Sequence, residues 1–416
     1  MLDLKKINIP KYLENITTFD PADEVSPYEV GLKPEDIDAI WKSVENLYRS
    51  AVFPAITICI RRKGKIILNR AIGHAEGNGP NDNADTPKVL VTPDTPICLF
   101  SASKSITAMM IHLLAERGQI SLMDPVSYYI PKFGVKGKRH TTIYHILSHR
   151  GGIPSMPGEI DPEMVFNYDQ CVDMLCDAKP SSRGGHRLAY HAVTGGFILG
   201  EIIRVVTGKT IREYLKENVQ EPLGFNYFSF GLPKEYHDHA ALNYYTGYPV
   251  AFPLSFFATR ALGATWDKVI EISNDPRFFN AIIPAGNIYA TAKEVCTFFQ
   301  LLLNQGEIDG KRIFHPLTVQ HAIMETGRAE FDLTFMLPMR YSAGMVLGSD
   351  PIGLYGPYTQ HAFGHLGFIN ILCWADPDRD ISVALLNTGK PLLGPNLTSL
   401  VQLLCVISCR CPKKRK

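Results

Sequence analysis

The stretch "LFSASKSITAMMIHLLAERG" (residues 99–118) decides how the rest of the chain is read. From Ile106 onward its apolar residues, Ile106, Met109, Met110, Leu113 and Leu114, recur at the three-and-four spacing of a helix with one buried face. Ser101 or Ser103 is placed to cap its start, and Gly118 to end it. Lys104 then falls in the first turn, where unpaired N–H groups and the macrodipole make a cation unwelcome. Ser101 and Lys104 form an S-x-x-K pair, three residues apart and within side-chain reach on one helix face. A serine hydroxyl needs a base to become a nucleophile. A lysine, with a free pKa of about 10.4, becomes that base when desolvation and a helix start disfavour its ammonium. The charge that is wrong for the helix is right for catalysis. Taken alone, the same spacing also fits a chance pair whose lysine snorkels to solvent.

On either side of this helix the patterns divide the chain into three kinds of segment. Residues 1–34 are polar and proline-bearing and read as an N-terminal arm leading into a helix at about 34–50. "PAITICIRRKGKIILNRAIGHA" holds two β-branched runs around "RRKGK", a hairpin signal. Residues 121–270 read as mostly helical with long loops, and "NYYTGYPVAFPLSFF" (243–257) as a long aromatic loop. That loop either lines a pocket or covers core. From about 284 a helix, "AGNIYATAKEVCTFFQLLLNQG", is followed by three strand-like runs, "RYSAGMVLG", "GHLGFINILCWAD" and "DISVALLNTG", and a closing helix, "NLTSLVQLLCVISC". Strands, then helices, then strands again predict an α/β (α+β) fold. Residues 35–120 and 271–410 would build a discontinuous domain around an antiparallel sheet flanked by helices, and 121–270 an inserted helical domain. "CRCPKKRK" ends the chain, and residues 411–416 read as a solvated basic tail.

Composition excludes several classes of function. Lys+Arg (42) and Asp+Glu (41) nearly cancel, so no global field recruits nucleic acid or an acidic membrane surface. The longest apolar runs, such as "VQLLCVI", are far shorter than the ~20 residues that span a bilayer. The first twenty residues carry no secretory pattern, and the cysteines, nine in all, lie mostly singly in apolar segments. Both observations predict a reducing, cytoplasmic setting. "TGKTIREY" contains G-K-T, but Ile203 stands where a phosphate-binding loop needs its first glycine. There is no G-x-S-x-G. "HDH" (237–239) and the cluster Cys405, Cys409, Cys411 lack partners at ligand spacing, so no metal or cofactor is expected.

With "SASK", the segments "AYHAVTGGFILGEIIRVVTG" (189–208), "PAGNIYATAKEV" (284–295) and "FGHLGFINILCWADPDRDISVALLNTG" (363–389) resemble the serine β-lactamase superfamily. The nearest likeness is to class C β-lactamases and the esterases on that scaffold, the family VIII carboxylesterases. It runs from about residue 35 to about 405, and "ILSHRGGIPS" and "LKENVQEPLGF" fit the same pattern. The resemblance implies a β-lactamase/penicillin-binding-protein-like fold with Ser101 as nucleophile, Lys104 as its base and Tyr190 as proton carrier. Lys104 would favour the Tyr190 phenolate. The backbone N–H groups of Ser101 and Phe368 would form an oxyanion hole, and Gly367 would keep the strand edge open to substrate.

Two positions depart from the lactamase pattern. Ala192 stands where an asparagine would bind the lactam side-chain amide, and His365 where a lysine would hold the lactam carboxylate. A neutral imidazole offers no such cation, and an ester needs none. His365 is thus a substrate-binding or a structural residue, Tyr244 in the aromatic loop is a candidate substrate contact, and His149 reads as a structural residue at a helix end. The expected function is hydrolysis of small carboxylic esters (EC 3.1.1) through an acyl-enzyme on Ser101. Alternatives using the same centre are a β-lactamase, a D-amino-acid peptidase or an acyltransferase. An alternative of another class is a non-catalytic binding protein, which would need none of Ser101, Lys104 and Tyr190.

Overall fold

A computed structural model describes residues 3–83, 85–158, 161–368 and 370–414, so the last two residues of the basic tail and the first two of the arm lie outside the described residues. The elements that position the site are β1 (Thr17–Phe19), α1 (Pro34–Tyr48), β2 (Ala55–Arg62), β3 (Lys65–Glu76), α2 (Ser103–Glu116), α3 (Thr194–Thr207) and α4 (Ala292–Leu303). They are followed by β4 (Val346–Leu347), β5 (Phe363–Gly367), β6 (Ile371–Asp376), β7 (Ile381–Asn387) and α5 (Asn396–Arg410).

The main sheet runs β1–β3–β2–β7–β6–β5–β4 and is antiparallel throughout. β2 and β3 form the expected hairpin, closed by Lys63 and Gly64, both with positive φ (50° and 78°), the geometry of a two-residue turn that matches strand twist. β2 then pairs with β7, with Cys59 opposite Ala384, so the two ends of the chain meet in one sheet. Side chains alternate between its faces. Cys59, Cys373, Ala375, Ala384 and Leu386 face a core shared with α2 and α4, while Ile58, Ile60, Leu372, Trp374, Val383 and Leu385 face α1 and α5. The fold is therefore the expected antiparallel sheet flanked by helices, with mostly helical structure between its two halves.

Four local readings change. The expected solvated tail is tied to the domain as far as residue 414: Cys411 is buried, Pro412 O accepts from the Arg62 guanidinium at 3.1 Å, and Lys413 and Lys414 pair with Asp378 and Asp380. α2 is buried from Ser103 to Leu114 rather than along one face, because the sheet packs one side and α3 the other. Neither Ser101 nor Ser103 caps it. Ala102 is the cap residue, and the Ser103 hydroxyl instead accepts the Ile288 N–H at 3.1 Å. "GHLGFINILCWAD" is two strands, β5 and β6, folded back on each other. The aromatic run 243–257 is a loop only as far as Pro253, beyond which Leu254–Leu262 is a helix.

Candidate active site

A short three-stranded sheet (Ile97–Cys98, Ile288–Ala290, Ser229–Phe230) delivers the chain to the site, and the Leu99 N–H is tied to Ile288 O at 2.8 Å. Ser101 follows in a single 3-10 turn, Phe100–Ala102, just ahead of α2. Phe100 has φ +46°, a left-handed conformation that is an outlier for a bulky residue and is found chiefly where surroundings enforce it. Gly367 of β5 packs directly on this segment: a Cβ there would lie 2.0 Å from Leu99 O. Its glycine is required by that approach of two backbones.

Lys104 Nζ stands 2.9 Å from Ser101 Oγ and 3.0 Å from Ala285 O. The side chain is buried with no carboxylate paired to it among the described residues, and burial holds its pKa well below the ordinary lysine value. The amine is then free to accept the serine proton while its own N–H bonds Ala285 O.

Tyr190 lies in the extended segment before α3, with Lys104 Nζ 4.9 Å from its ring centroid. Its hydroxyl is buried and has no hydrogen-bond partner among the described residues. Burial pushes its pKa up. Ser101 nearby eases ionisation, and Asp332 opposes it. The phenolate inferred from the resemblance is thus disfavoured, because desolvation of the buried hydroxyl outweighs the help from Ser101.

Sequence reasoning missed Asp332. This fully buried carboxylate accepts the N–H groups of Tyr190 (3.2 Å), Thr334 (2.8 Å) and Phe335 (3.0 Å) and the hydroxyl of Tyr341 (3.1 Å). Thr334 Oγ1 donates in turn to Tyr190 O at 3.0 Å. A hairpin far along the chain (Glu330–Asp332, Leu337–Met339) therefore clamps the tyrosine's backbone. "EFDLTF" matches no motif, so only the tertiary pairing reveals it.

Three imidazoles surround this centre. His149 Nδ1 accepts the His191 N–H at 3.2 Å, and its carbonyl accepts that of Ala189 at 3.0 Å, a structural role at the end of the helix Ile143–Leu147. His365 is buried in β5 with Nδ1 2.7 Å from Leu366 O and Nε2 unpartnered among the described residues. Burial lowers its pKa to about 3, so the ring is neutral and holds no carboxylate.

Beside Ser101 opens a cavity of about 460 Å³, walled by Phe100, Met156, Met164, Val165, Ala192, Val193, Leu262, Val269, Ile272, Phe278, Ile283 and Phe368 among others. The charged residues bordering it, Asp161 and Arg260, are exposed. Ser101, Ala192 and Phe368 thus meet at one cavity, whereas His365, Gly367 and Tyr244 do not line it. Tyr244, an expected substrate contact, accepts the Gly77 N–H with its hydroxyl at 3.2 Å, and its main chain bonds Thr388 and Lys390. It anchors the strand ends. Among the described residues no group of three or more His, Cys, Asp or Glu is placed to hold a metal ion, and no helix is long and apolar enough to cross a membrane. His237 and His239 turn to different partners, Leu232 O and the Tyr227 hydroxyl.

The family model for Beta-lactamase matches residues 41–400. The esterase/beta-lactamase LipL of Mycobacterium tuberculosis is 28% identical over 319 residues, covering 73% of this chain and 71% of that protein. In structure the chain is similar to a penicillin-binding protein homolog from Caulobacter crescentus, with a TM-score of 0.78, 26% identity and 91% and 99% of the two chains covered. A family VIII carboxylesterase shares the fold at a TM-score of 0.77, with 23% identity and 92% and 99% covered.

Proposed function

Because the chain belongs to the Beta-lactamase family, a family of serine hydrolases by fold, we propose that it cleaves carboxylic esters through an acyl-enzyme on Ser101. The observation that carries this reading is the apolar cavity that opens at a serine 2.9 Å from a buried, uncompensated lysine amine. An ester of an apolar acid buries its chain there and asks for no internal cation. The name of the esterase/beta-lactamase relative and the fold shared with a carboxylesterase support the same assignment.

In the first half-reaction Lys104 Nζ takes the Ser101 proton as Oγ bonds the carbonyl carbon. The oxyanion is received by the N–H groups of Ser101 and Phe368, each such donor contributing ~3–4 kcal/mol to the transition state. Collapse breaks the bond to the alkoxy oxygen. Tyr190, protonated in its buried setting, gives that oxygen its proton and is recharged from the Lys104 ammonium. Water then attacks the acyl-enzyme, losing its proton toward Tyr190 and Lys104, and the acid leaves as Ser101 regains its hydrogen. A second reading, cleavage of a β-lactam or a peptide ending in a carboxylate, is favoured only by Arg260 at the exposed border of the cavity.

The test sets a chromogenic butyrate ester against a chromogenic cephalosporin, with wild-type protein and Ser101→Ala. Butyrate turnover lost in the variant, with little cephalosporin turnover, is the expected result. Dominant cephalosporin turnover would transfer the assignment to the second reading, and ester turnover that survives in Ser101→Ala would remove the mechanism.

A further inference from the structure

Two bulky residues beside the nucleophile hold left-handed backbones, Phe100 at φ +46° and Phe368 at φ +38°. Such conformations persist where surroundings over-determine them. They matter because the N–H groups assigned to the oxyanion hole belong to Phe368 itself and to Ser101, the residue after Phe100. Whatever fixes these two backbones aims the hole.

The two rings stack on each other at 5.0 Å, and Phe368 also stacks on Trp266 at 4.3 Å with the planes 17° apart. The Trp266 indole N–H donates to Lys390 O at 2.8 Å, and Lys390 Nζ lies over the Phe100 ring, 4.9 Å from its centroid. The circuit Phe100–Phe368–Trp266–Lys390 is therefore closed. Lys390 is fully buried, with no carboxylate paired to it among the described residues, and its Nζ donates to Asn387 O at 2.6 Å. Asn387 Nδ2 in turn donates to Asn370 O at 2.7 Å, and Asn370 Nδ2 to Pro391 O at 2.9 Å. The turn carrying Phe368 is thus held by rings on one residue and by amides two residues later. Burying a lysine without a counter-charge costs stability, which a position doing other work offsets. The mechanism above gives it no proton to move.

We infer that Lys390 and Trp266 are positioning residues of the oxyanion hole, holding the Phe100 and Phe368 backbones so that the Ser101 and Phe368 N–H groups point to one oxygen. The inference rests on the serine-hydrolase reading but on no particular substrate.

The test uses Lys390→Met, Trp266→Ala and Trp266→Phe in the full chain, with two readouts. One is kcat and KM for the butyrate ester. The other is the dissociation constant of phenylboronic acid by calorimetry. Its boron bonds Ser101 Oγ, the serine proton passes to Lys104, and the resulting tetrahedral anion places an oxygen in the hole. The expected result is a fall in kcat and a weakening of boronate binding by a common factor, about 10- to 100-fold, in Lys390→Met and Trp266→Ala. KM stays within about twofold. Trp266→Phe, which keeps a ring on Phe368, recovers most of the loss. If Trp266→Ala does not fold, Lys390→Met and Trp266→Phe decide. Wild-type kcat and boronate affinity in Lys390→Met would overturn the inference. So would a rise in KM with boronate affinity unmoved, or wild-type protein that binds no boronate. Wild-type protein that binds boronate but hydrolyses no ester would overturn the ester reading, and the boronate constants alone then judge this one.

Discussion

Asp332 Oδ1 accepts the backbone N–H of Tyr190 across 142 residues of sequence, at 3.2 Å, in a site closed to solvent. Deleting that acceptor strands three N–H groups and the Tyr341 hydroxyl without water to replace it. Asp332→Ala should therefore cost about 3–5 kcal/mol of stability, as broken buried networks do. It should also lower kcat about 10- to 100-fold by releasing the tyrosine. Asp332→Asn retains Oδ1 and can donate from Nδ2 to the Tyr341 oxygen, so it should keep the fold and most of the turnover. Urea unfolding and butyrate kinetics on both variants check this. An Asn variant as damaged as the Ala variant would show that the negative charge, not the acceptor geometry, is what Tyr190 needs.

The burial that would make Lys104 a base also burdens the fold. Its folded pKa is depressed, so as pH falls from about 10.4 the unfolded chain binds a proton that the folded chain refuses, and stability declines until the folded value is reached. Lys104→Met removes this burden. The variant should be more stable than wild type at pH 7, with the advantage fading as pH approaches 10, and ester turnover should fall by about 10²–10⁴, the usual worth of a general base. Melting temperatures across that range are the measurement. A Met variant that is less stable at pH 7 would mean Lys104 is charged in the folded protein.

The parts of this site that sequence made legible are those encoded within a few residues. The three-residue spacing of Ser101 and Lys104 survives even though Ser101 sits on a 3-10 turn ahead of the helix, because that turn keeps the side chains 2.9 Å apart. The β2–β3 hairpin was readable from its β-branched runs and from a turn that demands positive φ. What periodicity does not carry is pairing between distant segments. Asp332 meets Tyr190, and Lys390 meets Phe100, only once the sheet has closed. Tyr244 misled for the same reason: an aromatic beside glycine and proline looks like a loop over a pocket, yet its hydroxyl is spent on Gly77. The phenolate failed on electrostatics, since a pattern shows which groups are near but not which are desolvated.

Acid should weaken the fold through its buried imidazoles. Burial lowers His112 and His191 to about 4 and His365 to about 3, so each stays neutral in the folded chain after the unfolded chain has protonated near 6.5. Their contribution is complete above about pH 6.5 and is lost as pH falls toward the folded values. By pH 5 each should have cost about 2 kcal/mol. His112 offers a control, because its ring bonds Ala343 O at 2.8 Å from the middle of α2, away from the cavity at Ser101. Urea midpoints at pH 7.5, 6.5 and 5.0 should drop mainly over the last interval, and His112→Gln should recover about 2 kcal/mol of that drop. A midpoint unchanged at pH 5.0 would mean these rings reach solvent when protonated.

The cavity makes a prediction about chain length that separates it from an accidental void. Its walls beside Ser101 are apolar, and each methylene moved from water into such a space is worth about 0.8 kcal/mol, close to a fourfold gain in kcat/KM. Acetate, butyrate and hexanoate esters of one chromogenic alcohol should therefore rise in kcat/KM by several-fold per methylene until the cavity is filled. Ile283, buried on the wall, is the residue to enlarge. Ile283→Trp should leave acetate turnover within a few-fold of wild type while abolishing the gain for hexanoate. The series needs the acyl side of the ester to occupy the cavity. A flat acyl series in wild-type protein, together with a strong dependence on the size of the alcohol, would put the leaving group there instead. Nucleophile and base would keep their roles, but the two ends of the substrate would exchange places.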